Sequence, residues 1–166
     1  AEMNYEPNQT AIQFKQGKTF TIGLILPNLM EEYFSLAING VEDIAFKNNY
    51  NVLIGQSHDD LEREKKIVET MRKHRVDGLL VSISKQTDAI EHFEQLDKYS
   101  IPVVFFDRVP NVPDIHSVWC SLYYSTIDAV ELLLKKGHER IAHICGPPSL
   151  NIKNERLEAY IEAHKR

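Results

Sequence analysis

Short apolar runs alternate with stretches of helical spacing from residue 20 to residue 106, and few chain architectures can absorb such a rhythm. Residues 20–26 read as a buried strand closed by Pro27 and Asn28. From Glu31 the period changes: Phe34, Ala37, Ile38, Val41, Ile44 and Ala45 recur at the spacing of one helix face. Asn48 and Asn49 end that helix and residues 51–54 form a second strand. Asp59 with Glu62 resembles a capping box opening a helix that carries Ile67, Val68 and Met71. Gly78 introduces a third strand over 79–83. Ile90, Phe93 and Leu96 mark a third helix, and Pro102 precedes a fourth strand over 103–106 that ends in Asp107 and Arg108. Strands that are apolar without alternation are buried on both faces, so the expected fold is α/β, a doubly wound parallel sheet. Ligands of such sheets bind beyond the carboxyl ends of the strands. Those ends lie here at residues 27–34, 56–59, 82–85 and 107–108.

A polar loop with Pro110 and Pro113 separates a second unit. Residues 117–120 suit a short strand or a crossover. Ile127, Val130, Leu133 and Leu134 predict a helix stopped by Gly137, a C′ glycine. Residues 141–145 read as a further strand, followed by a Gly-Pro-Pro turn at 146–148, and residues 155–165 as a last amphipathic helix. The expected division is a linker over 1–18, a first subdomain over 19–117 and the start of a second over 118–166.

At 166 residues and 43% hydrophobic, the chain can bury a real core. Its formal charge of −5 argues against a free-standing nucleic-acid binder. Cys120 and Cys145 sit in apolar contexts and are expected to be reduced core thiols of a cytoplasmic protein. Residues 1–18 contain no apolar run of signal-peptide type, and no run approaches the ~20 residues of a membrane span. No glycine-rich phosphate loop, nucleophile elbow or H-E-x-x-H motif is present, so no enzyme is expected. The seven histidines show no metal-ligand spacing, and no metal or cofactor is expected. The mixed-charge run 61–75 reads as a solvated helix face, with no nucleic-acid role expected.

Candidate ligand residues come from the strand ends. Tyr33 and Phe34 open the first helix, where an aromatic stacks on a sugar or base, although Phe34 also fits the core stripe with Ile38 and Val41. Asp107 can accept from ligand hydroxyls or serve as a turn residue. Arg156 offers a planar fork of donors or is a solvated helix charge. Ser82 and Ser84 are weaker candidates, and Asp59 is first of all a helix cap.

The ordered blocks TIGLILPN, YF, GVEDIA, YNVLIG, RVDGLLV, IPVVFFDR, ELLLKKGHERIAHICGP and RLEAY resemble the lactose-repressor/galactose-repressor (LacI/GalR) family of bacterial transcription regulators. The resemblance runs from about residue 4 to 160. It implies a ligand-responsive regulator, in most relatives a repressor, with a periplasmic-binding-protein-like core of two subdomains. The effector is a sugar or related metabolite, and operator DNA is read by an N-terminal helical head. It also implies a cytoplasmic homodimer without membrane contact. Residues 4–14 resemble the end of the head and the hinge, with Ala11 and Phe14 at the places of the hinge alanine and of the leucine that wedges into the minor groove. The head and most of the second subdomain are then expected to lie outside this chain.

By the same resemblance the effector site draws on Tyr33, Phe34, Ser82, Asp107 and Arg156. Two departures stand out. Ala159 replaces the glycine of the R-x-x-G-aromatic motif, and Ser121-Leu122 stand where relatives often carry Asp-Asn. Residues 1–18 set Glu2 and Glu6 against Lys15 and Lys18, so this chain by itself is expected to have negligible operator affinity. The alternative is a periplasmic-type sugar-binding protein of the same fold without DNA function.

Overall fold

A computed structural model of the chain describes residues 15–146 and 151–165; the hinge candidates Ala11 and Phe14 lie outside the described residues. Five parallel strands form one sheet in the order β2-β1-β3-β4-β5. They are β1 (Thr21–Leu26), β2 (Asn51–Gln56), β3 (Gly78–Val81), β4 (Val103–Phe106) and β5 (His116–Val118). The helices are α1 (Glu32–Lys47), α2 (Leu61–Lys73), α3 (Glu91–Glu94), α4 (Tyr123–Lys135) and α5 (Asn151–Ala163). The expected doubly wound α/β sheet is therefore present. The stretch read as a short strand or crossover begins with β5, which pairs with β4.

The strand pleat divides the core. Leu24 and Leu26 point to the face covered by α1, where Phe34 fills the space between them and Ile38, Val41, Leu80 and Phe106 pack around. Ile25, Leu79, Val81 and Phe105 point to the other face, where Val68 and Met71 of α2 and Phe93 of α3 cover them. Gly23 and Gly55 let α2 lie close on this face. A Cβ on Gly23 would collide with Leu79 and one on Gly55 with Ile67, so both positions require the smallest residue. Beside α1, on the opposite face, an apolar groove of about 600 Å³ is lined by Val41, Ile44, Leu80 and Val104 among the described residues.

Three sequence expectations are corrected. The cap of α2 is Asp60, whose Oδ1 accepts from the Arg63 N–H at 2.6 Å, because Asp59 adopts a positive φ of 59° and turns its carboxylate elsewhere. The third helix has one α turn and continues as a 3₁₀ segment over Gln95–Tyr99. Ser100, in the left-handed region at φ 56°, closes it. Residues 141–145 form no strand: no ladder partner exists for them among the described residues, and Ile144 is 94% exposed.

Beyond β5, α4 and α5 pack on each other through Ile127, Val130, Ala159 and Ala163. Gly137 (φ 86°) ends α4 as expected, with the His138 N–H reaching back to the Leu133 carbonyl at 3.1 Å. Cys120 and Cys145 are free but exposed rather than in the core, with His143 Nδ1 3.3 Å from the Cys145 sulfur. No helix of the described residues is long and apolar enough to cross a membrane.

One buried charge joins four elements. Glu64 on α2 is 0% exposed. Its carboxylate accepts from Ser84 N–H at 2.7 Å, Ser84 Oγ at 2.8 Å, Thr87 Oγ1 at 2.7 Å and His92 Nε2 at 3.0 Å. Ser84 Oγ also lies 2.9 Å from Ser57 Oγ, beyond the end of β2. Burial pushes the Glu64 carboxyl up, but the donors from His92, Thr87 and Ser84 together outweigh it and hold it below the ordinary carboxylate range.

Glu64→Ala orphans these donors and should cost about 3–5 kcal/mol, the range for breaking a buried charged network, read as a lower urea midpoint. Because the folded carboxyl titrates below the unfolded one, its stabilisation is present above the ordinary value of about 4.3 and is lost as pH falls through the folded value. Glu64→Gln should therefore lose less stability than the native chain between neutral and acid pH.

Candidate functional site: the carboxyl end of the sheet

Parallel strands send all their following loops to one end, and the chemistry gathers there. Asp107 follows β4 directly, its φ of 58° places it in the left-handed region, and its N–H donates to the Val118 carbonyl at 3.1 Å. The kink turns the chain away from the sheet plane at the site. Burial pushes the Asp107 carboxyl above its ordinary value; the positive charges of Arg108 and Arg156 oppose the rise and Glu31 adds to it.

Ser82 follows β3 and is 0% exposed. It is close enough to Asp107 to favour that carboxylate's charged form, yet its hydroxyl has no hydrogen-bond partner of good geometry among the described residues. Tyr33 stands at the rim, 52% exposed, and its phenol is pushed up by partial burial and by the nearby Asp107 and Cys120. Arg156, exposed on α5, projects its charge toward Asp107. Four of the five proposed residues, Tyr33, Ser82, Asp107 and Arg156, thus share one electrostatic neighbourhood.

Phe34 is placed differently from an open stacking platform. It is 1% exposed among Leu24 and Leu26, edge-on to Tyr33 at 5.4 Å. The core stripe, which helical periodicity alone favoured, accounts for its packing.

Sequence reasoning missed the ion cluster beneath the rim. Arg108, 9% exposed, donates through Nη1 to Asp59 Oδ1 at 2.6 Å and lies 5.7 Å from the centre of the Phe34 ring. Lys85 meets the same carboxylate through Nζ at 3.1 Å and through its backbone N–H at 3.0 Å. Burial opposes the Asp59 charge, but Lys85 and Arg108 outweigh it and hold the carboxyl low. The available signal was position: Asp59, Lys85 and Arg108 all follow strands. The departure at Ser121-Leu122 is also explained. Glu155 on α5 accepts from Ser121 Oγ at 3.2 Å and from Leu122 N–H at 3.1 Å, tying α5 to the start of α4. Ala159 is fully buried between those helices, so the extra methyl is accommodated. No group of three or more His, Cys, Asp or Glu side chains suited to a metal occurs among the described residues.

Residues 19–166 match the model of periplasmic binding proteins and sugar-binding domains of the LacI family. The chain belongs to this family. Among LacI-type relatives, it is 31% identical over 144 residues to catabolite control protein A of Priestia megaterium, covering 87% of this chain and 43% of that protein. It is 31% identical over 166 residues to the ribose operon repressor of Escherichia coli K12, covering 99% and 50%. The crystal structure of the Cra transcriptional dual regulator from Pseudomonas putida, in complex with fructose 1-phosphate, superposes with a TM-score of 0.79 at 26% identity, covering 89% of this chain and 54% of that one. The chain spans about half the length of the curated relatives it matches.

The Asp107 environment sets a pH test. A carboxyl whose folded value is raised stabilises the fold less as pH climbs through the window above its ordinary value of about 3.9. Asp107→Asn should raise the melting temperature at neutral pH, and the gain should vanish in acid, where Asp107 itself is protonated. A gain independent of pH would contradict the burial argument.

Proposed function

We propose that this chain is the first half of the effector-binding core of a LacI-type transcription regulator, most simply a cytoplasmic, homodimeric repressor. The observation that carries the reading is the pairing of the desolvated Asp107 with a buried Ser82 hydroxyl that makes no hydrogen bond of good geometry among the described residues. A polyhydroxylated ligand satisfies both at once, accepting from Ser82 and donating to Asp107. Tyr33 closes the rim with an apolar ring and a polar tip. Arg156 approaches from the side of α5 and suits a sugar hydroxyl or a phosphate ester. Arg108 and Asp59 neutralise each other beneath and keep the floor rigid. Phe34 acts as that floor's apolar layer.

Regulation is linkage. The effector binds two arrangements of the core with different affinity, and the difference appears as a change in operator affinity through the hinge. Operator DNA, the second subdomain and the partner subunit belong to the longer protein that the relatives' lengths suggest. The curated relatives are named as regulators, which favours this reading over a transport binder of the same fold. No covalent step is proposed.

A thermal-shift panel of pentoses, hexoses and their phosphate esters on the full-length protein tests it. Effector in excess raises the midpoint by mass action, by about 2.7 kcal/mol of added stability at one hundred times Kd. Asp107→Ala should weaken that effector by about 10- to 150-fold, the value of a hydrogen bond to a charged group. No shift across the panel, or a shift untouched by Asp107→Ala, would remove the assignment.

A further inference from the structure

The opposite end of the sheet carries a second polar cavity, of about 740 Å³. Its charged wall is built by Lys18, Arg72, Lys73 and Arg75, with Asp77 beside them. Two carboxylates face these four cations. Glu69 takes Arg72 in a bidentate pair at 2.7 and 2.6 Å and meets Lys73 at 3.5 Å. Asp77 is occupied by the backbone N–H groups of Thr19 at 2.8 Å and Phe20 at 2.9 Å. Lys18 and Arg75 are exposed and make no ion pair among the described residues. The excess of cations here runs against the chain's overall charge of −5.

Helix electrostatics explain part of this patch. Arg72 and Lys73 occupy the last turn of α2, where cations suit the helix dipole. That account does not reach Arg75, which lies beyond the cap at φ 53°, or Lys18, which comes from a segment far away in sequence. Arg72 is also pre-set, stacked 4.5 Å from the centre of the Tyr99 ring and gripped by Glu69. The position matters as much as the charge. Asp77 clamps Thr19 and Phe20, so the segment read as the hinge leaves the core at the lip of this cavity. The effector residues lie at the other end of the strands.

We propose that this cavity is a sequence-independent contact surface for the phosphate backbone of duplex DNA, made by Arg75 and Lys18 with support from Lys73. The guanidinium forks phosphate oxygens and the lysines act as point charges. Arg72, already neutralised, is a rigid wall. Two or three phosphate contacts give weak binding with no base readout. The choice of DNA as the partner rests on the regulator reading above. The C-terminal part of the run 61–75, read from sequence as merely solvated, acquires a role on this proposal.

The test is fluorescence anisotropy of this chain with a mixed-sequence duplex of about 30 base pairs, from about 20 to 150 mM salt. Weak binding is expected, its log K falling with log salt at a slope of about −2 to −3. Lys18→Gln with Arg75→Gln should cut affinity at least ~10-fold at low salt and reduce the slope by about 2. Lys136→Gln with Lys165→Gln, an equal charge change on exposed residues elsewhere, should leave both nearly unchanged. Melting curves of both variants check that the fold is retained. Three results would overturn the proposal: no binding at the lowest salt, equal loss in both variants, or displacement of the duplex by inorganic phosphate at matched ionic strength, which marks a free-anion site. The sugar-dependent thermal shift does not involve Lys18 or Arg75. Loss of duplex binding with that shift intact discards this surface alone, and the converse discards the effector assignment alone.

Discussion

The carboxylate of Glu64 is the constraint on which the site depends. A charge at 0% exposure is tolerated only when its oxygens are saturated with donors. The donors come from the loop after β3 and from α3, so satisfying Glu64 dictates where that loop runs. Ser82 is two residues upstream of Ser84, whose N–H and hydroxyl both bind the carboxylate. The backbone of Ser82 is thereby held between the β3 ladder and the Glu64 anchor. A buried network of this kind gives little net stability beyond a well-packed apolar core. What it supplies is a single loop conformation, because any other leaves the charge unpaired.

A second carboxylate does the same work for the neighbouring loops. Asp59 draws together Lys85 after β3 and Arg108 after β4. Three of the four strand ends are thus cross-linked by two anions. The arrangement separates two kinds of charge: Glu64 and Asp59 are held low and fully engaged, while Asp107 is pushed up and only partly compensated.

How much of this was legible in the sequence follows from which forces are local. The β-α alternation, the strand ends and the Gly137 stop depend on periodicity and backbone sterics, and all of them appear in the fold. The strand expected over 141–145 does not, because a strand exists only with a partner and apolar composition cannot supply one. The identity of the α2 cap slipped by one residue. Asp59 and Asp60 are chemically equivalent in sequence, and only the distant Arg108 decides which of them turns away. Phe34 illustrates the opposite case: helical spacing alone placed it correctly in the core. Glu64 and His92 could not be paired from sequence, since they lie on different helices and nothing local marks the glutamate as buried.

The state of Asp107 bears on how binding at one end could reach the hinge at the other. Its desolvated carboxyl and left-handed backbone are both costs to the fold. On the function proposed above, a ligand hydroxyl donating to that carboxylate relieves part of the cost. β4 connects Asp107 directly to Pro102, whose carbonyl accepts from the Leu79 N–H at 2.9 Å. Leu79 adjoins Gly78 and Asp77, and Asp77 clamps Thr19 and Phe20 at the exit of the hinge. Two paired strands and one carboxylate therefore join Asp107 to Thr19 and Phe20.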